Sequence, residues 1–186
     1  SGCEEALVAA QKLFLRHPFD EKVGLWTVID DQGLPQGFDL TFNHQLWFAA
    51  VASRLELKMA SKAVSNFMDV ILAQLSVYKN GVLRHDQLVY CLRPPTGWLS
   101  RLKAFLYILE GFVAARESMY LKSVGYHAFN LYAFAMLYQR THYHTFWKSN
   151  MFQQMLECTE RSWFISDLER AENFGWHYNP SGIELA

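Results

Sequence analysis

Apolar residues recur at helical spacing in several stretches of the chain. In residues 4–16, Ala6, Leu7, Ala10, Leu13 and Phe14 share one face, and Glu4 and Glu5 sit where a helix start favours negative charge. His17-Pro18 ends that helix, because a residue before proline is pushed out of the helical region. Residues 23–38 hold Gly24, Gly33, Pro35 and Gly37 and little periodicity, so they read as a loop with a short strand at Leu25–Ile29. Asp39 or Thr41 can cap the next helix, 42–57. A third spans 60–78, with Val64, Phe67, Met68, Ile71, Leu72 and Leu75 on one face. Lys79-Asn80-Gly81 is a turn, and 82–93 an irregular or hairpin connection closed by Pro94-Pro95-Thr96-Gly97. Further helices are predicted over 99–115, 124–139, 145–158 and 162–170. The tail from Asn173 is loop-like and aromatic, and 183–186 reads as the first turn of another helix.

The pattern is a run of helices paired as hairpins. No motif repeats at a strict period, which argues against an ordinary helical-repeat solenoid. Antiparallel hairpins can also curl into an α/α toroid whose inner helices line a cleft. At roughly 40–60 residues per hairpin, the chain holds three hairpins and the start of a fourth. The expectation is therefore an all-α fold, a partial or incomplete α/α toroid with long loops and one short β-hairpin. Residues 1–186 form a single toroid-like domain, part of a larger toroid, whose missing segment or an oligomer partner completes it. The helix starts near Asn43 and Tyr126 are expected on the same side of the array.

Composition narrows the function. The 186 residues are 51% apolar and 19% charged, enough to fill a core. Lys+Arg number 17 and Asp+Glu 18, a net charge of -1, which argues against nucleic acid or an anionic membrane surface and leaves an anionic substrate open. No apolar run reaches the ~18 residues of a membrane span. Aromatics stand at 16%, which fits either a core of large side chains or a cleft lined by rings that stack on flat ligand faces. Cys3, Cys91 and Cys158 are odd in number and widely spaced, so they make neither a disulfide scaffold nor a metal motif. Ser1-Gly2-Cys3 reads as a cloning scar or as the end of a lipoprotein processing site. GxGxxG, GxxxxGK[ST], HExxH and GxSxG are absent, and the doublet His142-x-His144 has no carboxylate or cysteine close by in sequence.

Four clusters carry candidate chemistry. Asn43 and His44 open a helix whose Trp47, Phe48 and Val51 share a face with His44. They place a carboxamide and an imidazole at a cleft mouth, or they are a capping Asn and a half-buried His. Tyr126, His127 and Asn130 lie in Gly125-Tyr126-His127-Ala128-Phe129-Asn130-Leu131-Tyr132-Ala133, a polar and aromatic helix start or simply core aromatics with wet hydroxyls. Arg84-His85-Asp86, followed by Arg93, can clamp a carboxylate, or is a solvated loop. Trp176-His177-Tyr178-Asn179-Pro180-Ser181-Gly182 is too aromatic to leave in water and packs over something, a ligand or the protein itself.

Asn43-His44-Gln45-Leu46-Trp47-Phe48-Ala49-Ala50 resembles the active-site helix of toroidal polysaccharide lyases, alginate-lyase-like and heparinase-like. The Tyr126-His127 pair resembles their second signature, and Asn80-Gly81-Val82-Leu83 a shared turn. The resemblance spans about residues 35–160. It implies β-elimination on a uronate glycan, with Asn43 neutralising the carboxylate, His44 as base or charge stabiliser, and Tyr126 moving the proton. Lys122 would stand in for the family's Arg. Trp47, Arg84, His85, Arg93, Lys122, His127, Asn130, Trp176 and Tyr178 are the substrate-binding candidates, with no metal or cofactor. Three readings stay open: a polysaccharide lyase, a toroidal glycoside hydrolase or epimerase using Asp39, Asp86 or Glu184, and a non-catalytic domain binding glycan or protein. Each takes a polysaccharide, oligosaccharide or protein partner. A lyase favours the periplasm or the extracellular space, and the cytoplasm stays open.

Overall fold

Two aspartates fold the loop of residues 19–38 into a sheet. In the computed structural model, which describes residues 2–85, 88, 114–171, 173 and 174, strands β1 (Phe19–Asp20), β2 (Leu25–Ile29) and β3 (Pro35–Phe38) pair antiparallel in that order. The Asp20 carboxylate accepts the N–H groups of Lys22 (2.8 Å) and Val23 (3.1 Å), and that of Asp30 accepts those of Gln32 (3.0 Å) and Leu34 (2.8 Å). These side chains mimic backbone turns and reverse the chain twice. Phe19 pairs with Trp26 and Thr27 with Phe38, with a bulge at Val28/Ile29. The described residues are thus mostly helical, as expected, with a small three-stranded sheet in place of the single short β-hairpin.

The helices are α1 (Gly2–Phe14), α2 (Phe42–Ala52), α3 (Lys58–Val70), α4 (Ala114–Thr141), α5 (Asn150–Glu157) and α6 (Ser162–Arg170). No helix among the described residues is long and apolar enough to cross a membrane. The expected helix 42–57 stops at Ala52, and Glu56 turns into the left-handed region at φ 55° before α3 begins. The expected helix 60–78 stops at Val70. Ile71, Leu72 and Leu75 are buried as their spacing implies, but from a 3₁₀ turn (Leu72–Gln74) and an extended segment. That segment pairs Val77 with Leu83 across the Lys79-Asn80-Gly81 turn. The helix expected over 145–158 divides at extended Ser149 into a 3₁₀ turn (Thr145–Lys148) and α5. Most of the helix expected over 99–115 lies outside the described residues.

Two compact units emerge. The first comprises residues 2–74 and 133–149. Its core gathers Phe42, Leu46, Phe67, Met68, Phe134 and Leu137, and Trp26 meets the rings of Phe14, Phe19, Phe48 and Phe67. Each fully buried large apolar side chain contributes roughly 1.5–3 kcal/mol. The second comprises 75–132 and, as far as described, 150–174. Val82, Val124, Cys158 and Phe164 form its core, flanked by Tyr78, Tyr120, Trp163 and Leu168.

Candidate functional site

The start of α2 carries an acid–base pair. Asp39 Oδ2 lies 2.6 Å from His44 Nδ1, and the Thr41 N–H donates to Asp39 Oδ1 at 2.8 Å. The arrangement follows from the helix start. The Thr41 carbonyl accepts the N–H groups of His44 and Gln45, so His44 stands in the first turn while Asp39, two residues before Thr41, folds back on it. Burial is the largest single influence on Asp39 and raises its pKa. Hydrogen bonds from His44 and Thr41 outweigh it and hold the carboxyl below its ordinary value. An ionised carboxylate facing Nδ1 fixes the proton there, so a neutral His44 keeps its Nε2 lone pair. The His44 side chain is 63% exposed, which leaves Nε2 open to a ligand.

The residues beside this pair differ from expectation. Asn43 is 5% exposed and does not cap α2, and its Oδ1 has no hydrogen-bond partner among the described residues. Trp47 is half-buried. Gln45 is buried, and its carboxamide joins β2 to the Asp39 loop. A shallow concavity of about 560 Å³ at Leu57, Lys58, Met59 and Lys62 is lined by no acid–base pair.

In the second unit the structure joins two clusters that are separate in sequence. The His85 N–H donates to Ser123 Oγ (3.1 Å), and the His85 ring lies 4.6 Å from that of half-buried Tyr126. Lys122, one turn earlier, places its ammonium 5.9 Å from the Phe174 ring. Exposed Arg84 lies 4.4 Å over Tyr78, a cation–π contact. Asn130 is 1% exposed, and its Oδ1 has no partner among the described residues. Tyr126 does not open a helix, because α4 runs unbroken from Ala114 through Gly125. A Cβ on Gly125 would meet the Phe174 carbonyl oxygen at 2.5 Å. The glycine marks a close backbone approach, not a helix start.

His127 is also displaced from its expected role. It is fully buried. The Leu83 N–H donates to its Nδ1 (3.1 Å), so Nε2 carries the proton and donates to the Met155 carbonyl (2.8 Å). Burial pushes its pKa down to about 4. Cys158 Sγ lies 3.2 Å from Nε2, and burial pushes that thiol up to about 12. A protonated Nε2 cannot take the thiol proton, so this pair packs the core and is no nucleophile. Both ring nitrogens of His127 are therefore committed to backbone groups inside the second unit.

The Tyr120 hydroxyl donates to Asp167 Oδ2 (2.6 Å) and accepts from Asn80 Nδ2 (2.8 Å). Burial first, then Asp167, raises the Tyr120 pKa. Sequence reasoning did not find this network, the Asp39 partner of His44 or the role of Gln45. A carboxylate five residues before a histidine, across a helix start, was the available signal for the Asp39 pairing. Asp69 of α3 meets His144 Nε2 at 3.1 Å, a carboxylate distant in sequence. Among the described residues no three His, Cys, Asp or Glu side chains gather to hold a metal. Asp86, Arg93, Trp176, His177, Tyr178 and Glu184 lie outside the described residues.

No protein-family model matches the chain, and no solved structure does. Across 197 aligned positions, 98% of the chain, it is 34% identical to a protein of Haloferax volcanii named archaeal glycosylation protein Q. The chain spans about half (52%) of the length of that curated relative. This overturns the resemblance to toroidal polysaccharide lyases, and with it polysaccharide degradation. A relative matched over 98% of this chain is named for glycosylation, whereas the resemblance rested on two short motifs. One of those motifs, the Tyr-His pair, sits in mid-helix and not at a helix start.

Proposed function

We propose that this chain belongs to a protein of glycan biosynthesis or processing, and that His44, oriented by Asp39, is its acid–base group. The Asp39–His44 pair is the observation that carries the reading. A carboxylate at 2.6 Å fixes the Nδ1 proton, so the exposed Nε2 can accept or return a proton from a sugar hydroxyl or leaving oxygen. The name of the relative supplies the glycan context. Trp47, on the same helix, is a candidate ligand contact. We also propose that the helical hairpins form part of an α/α toroid completed elsewhere in the full-length protein, to be checked by its crystal structure.

A second reading, glycan binding without catalysis, draws on the second unit. There the Tyr126 and His85 rings lie together, with Lys122 and Asn130 one turn to either side of Tyr126 and Arg84 beside His85. Flat rings and cations suit a sugar ring and an anionic substituent. One experiment separates the readings. The gene is replaced in its own host by a deletion, by His44→Ala or by Tyr126→Ala with Lys122→Ala, and glycoprotein glycans are profiled by mass spectrometry. His44→Ala should reproduce the glycan change of the deletion. A deletion without glycan change sinks both readings. A silent His44→Ala beside an active deletion removes catalysis by this pair, and a change confined to the double variant selects the binding reading.

A further inference from the structure

Gln45 follows His44 in α2, yet points into the first unit and is 3% exposed. Its carboxamide is committed to backbone groups. Oε1 accepts the Trp26 N–H (3.0 Å), and Nε2 donates to the carbonyls of Trp26 (2.9 Å) and Asp39 (3.1 Å). Trp26 belongs to β2, and Asp39 begins the segment that leads into α2. The same short loop therefore has its backbone held by Gln45 and its carboxylate held by Thr41 and His44. Successive helical residues point about 100° apart, so α2 grips Asp39 from two directions, with Gln45 on the buried side and His44 on the exposed side.

We propose that Gln45 is a positioning residue for the Asp39–His44 pair: by tying the Asp39 carbonyl to strand β2, it sets the carboxylate where it meets His44 Nδ1. The inference rests on the acid–base reading of His44 for its functional meaning, but its geometry does not depend on the glycan. No other residue type supplies the same set. A leucine or methionine leaves the buried Trp26 N–H and C=O unpaired, which is costly. A glutamate keeps an acceptor for the Trp26 N–H but loses at least one of the two donors. Asn has the same groups on a shorter arm and cannot span the three partners.

The test uses the full-length protein with 15N-labelled histidine and glutamine and 13C-labelled aspartate, followed by nuclear magnetic resonance. In the unsubstituted protein both Gln45 Nε2 protons should exchange with water at least ~10-fold more slowly than those of exposed glutamines. The His44 Nδ1 proton should give a downfield, hydrogen-bonded resonance, and Asp39 should titrate below ordinary aspartates. Gln45→Met should erase the His44 Nδ1 signal and move the Asp39 titration up toward the ordinary range, while circular dichroism keeps its helical shape. Gln45→Glu should give an intermediate result. Gln45→Met that lowers thermal stability but leaves the Nδ1 resonance and the Asp39 titration unchanged would make Gln45 a structural residue only. If neither variant folds, unprotected Gln45 Nε2 protons in the unsubstituted protein overturn the proposal by themselves, and protected ones uphold it. These readouts contain no glycan. If they succeed while the glycan profile ignores His44, the proposed function fails and the positioning of the pair stands.

Discussion

Gly81→Ala should destabilise the second unit by about 3–4 kcal/mol and lower its thermal midpoint by roughly 10 °C. Two costs add at this position. The backbone stands at φ +92°, where a Cβ collides with its own chain, at about 1–2 kcal/mol. The added methyl would also run into the Gln154 backbone carbonyl of α5, with Cys158 Cβ 3.2 Å away, an overpacking cost of about 1–3 kcal/mol. Backbone carbonyls of a packed helix cannot step aside as a flexible side chain can. Gly37→Ala is the control, because it has φ +100° and nothing within 4 Å of the added methyl. It should carry the conformational cost alone. Thermal and urea unfolding followed by circular dichroism measure both, and equal losses would refute the close approach of α5 to the turn.

Stability should also climb with pH between about 4 and about 6.5, by a total approaching ~3 kcal/mol, through His127. Burial lowers its folded pKa to about 4 from an ordinary 6.5. In that window the unfolded imidazole binds a proton that the folded one refuses, so the unfolded state gains as pH falls. Asp39 adds a loss of the same sign at lower pH, since its folded pKa is depressed and its contribution disappears as the carboxylate is protonated. Urea unfolding at a series of pH values gives the slope. His127→Gln, which can still pair with Leu83 and Met155 but does not titrate, should flatten the curve between 4 and 6.5 and spare the more acid part. An unchanged slope in that variant would assign the pH dependence to other groups.

Much of the helical framework was legible because its periodicity is local. Val64, Phe67 and Met68 announced α3, and all three are buried. Leu25–Ile29 stood out as a strand because its residues are β-branched or aromatic at four of five places. Strands β1 and β3 were not legible, since one has two residues and the other, Pro35-Gln36-Gly37-Phe38, has a strand-forming side chain only at Phe38 and holds a Pro and a Gly. Their pairing rests on the turns at Asp20 and Asp30. Gly125 misled for another reason. A glycine in a helical pattern reads as punctuation, and the contact with Phe174 that explains it is remote in sequence. The candidate site divides in the same way. Asn43 and His44 were visible as a polar helix start, but which of the two faces water depends on packing. The meeting of His85 with Tyr126 needed the hairpin at Gly81 to fold onto α4.

The Asp39–His44 pair is assembled almost wholly within residues 39–45, with Thr41 and Gln45 contributing the intervening grips. Only the Trp26 backbone comes from farther along the chain. Contacts this close in sequence form on the microsecond timescale of helix growth, without waiting for long-range pairing. They also travel as a cassette. A Asp-x-Thr-x-x-His-Gln segment grafted at the start of another scaffold's helix should bring its oriented imidazole with it, provided a neighbouring extended strand offers one N–H and one C=O to the glutamine.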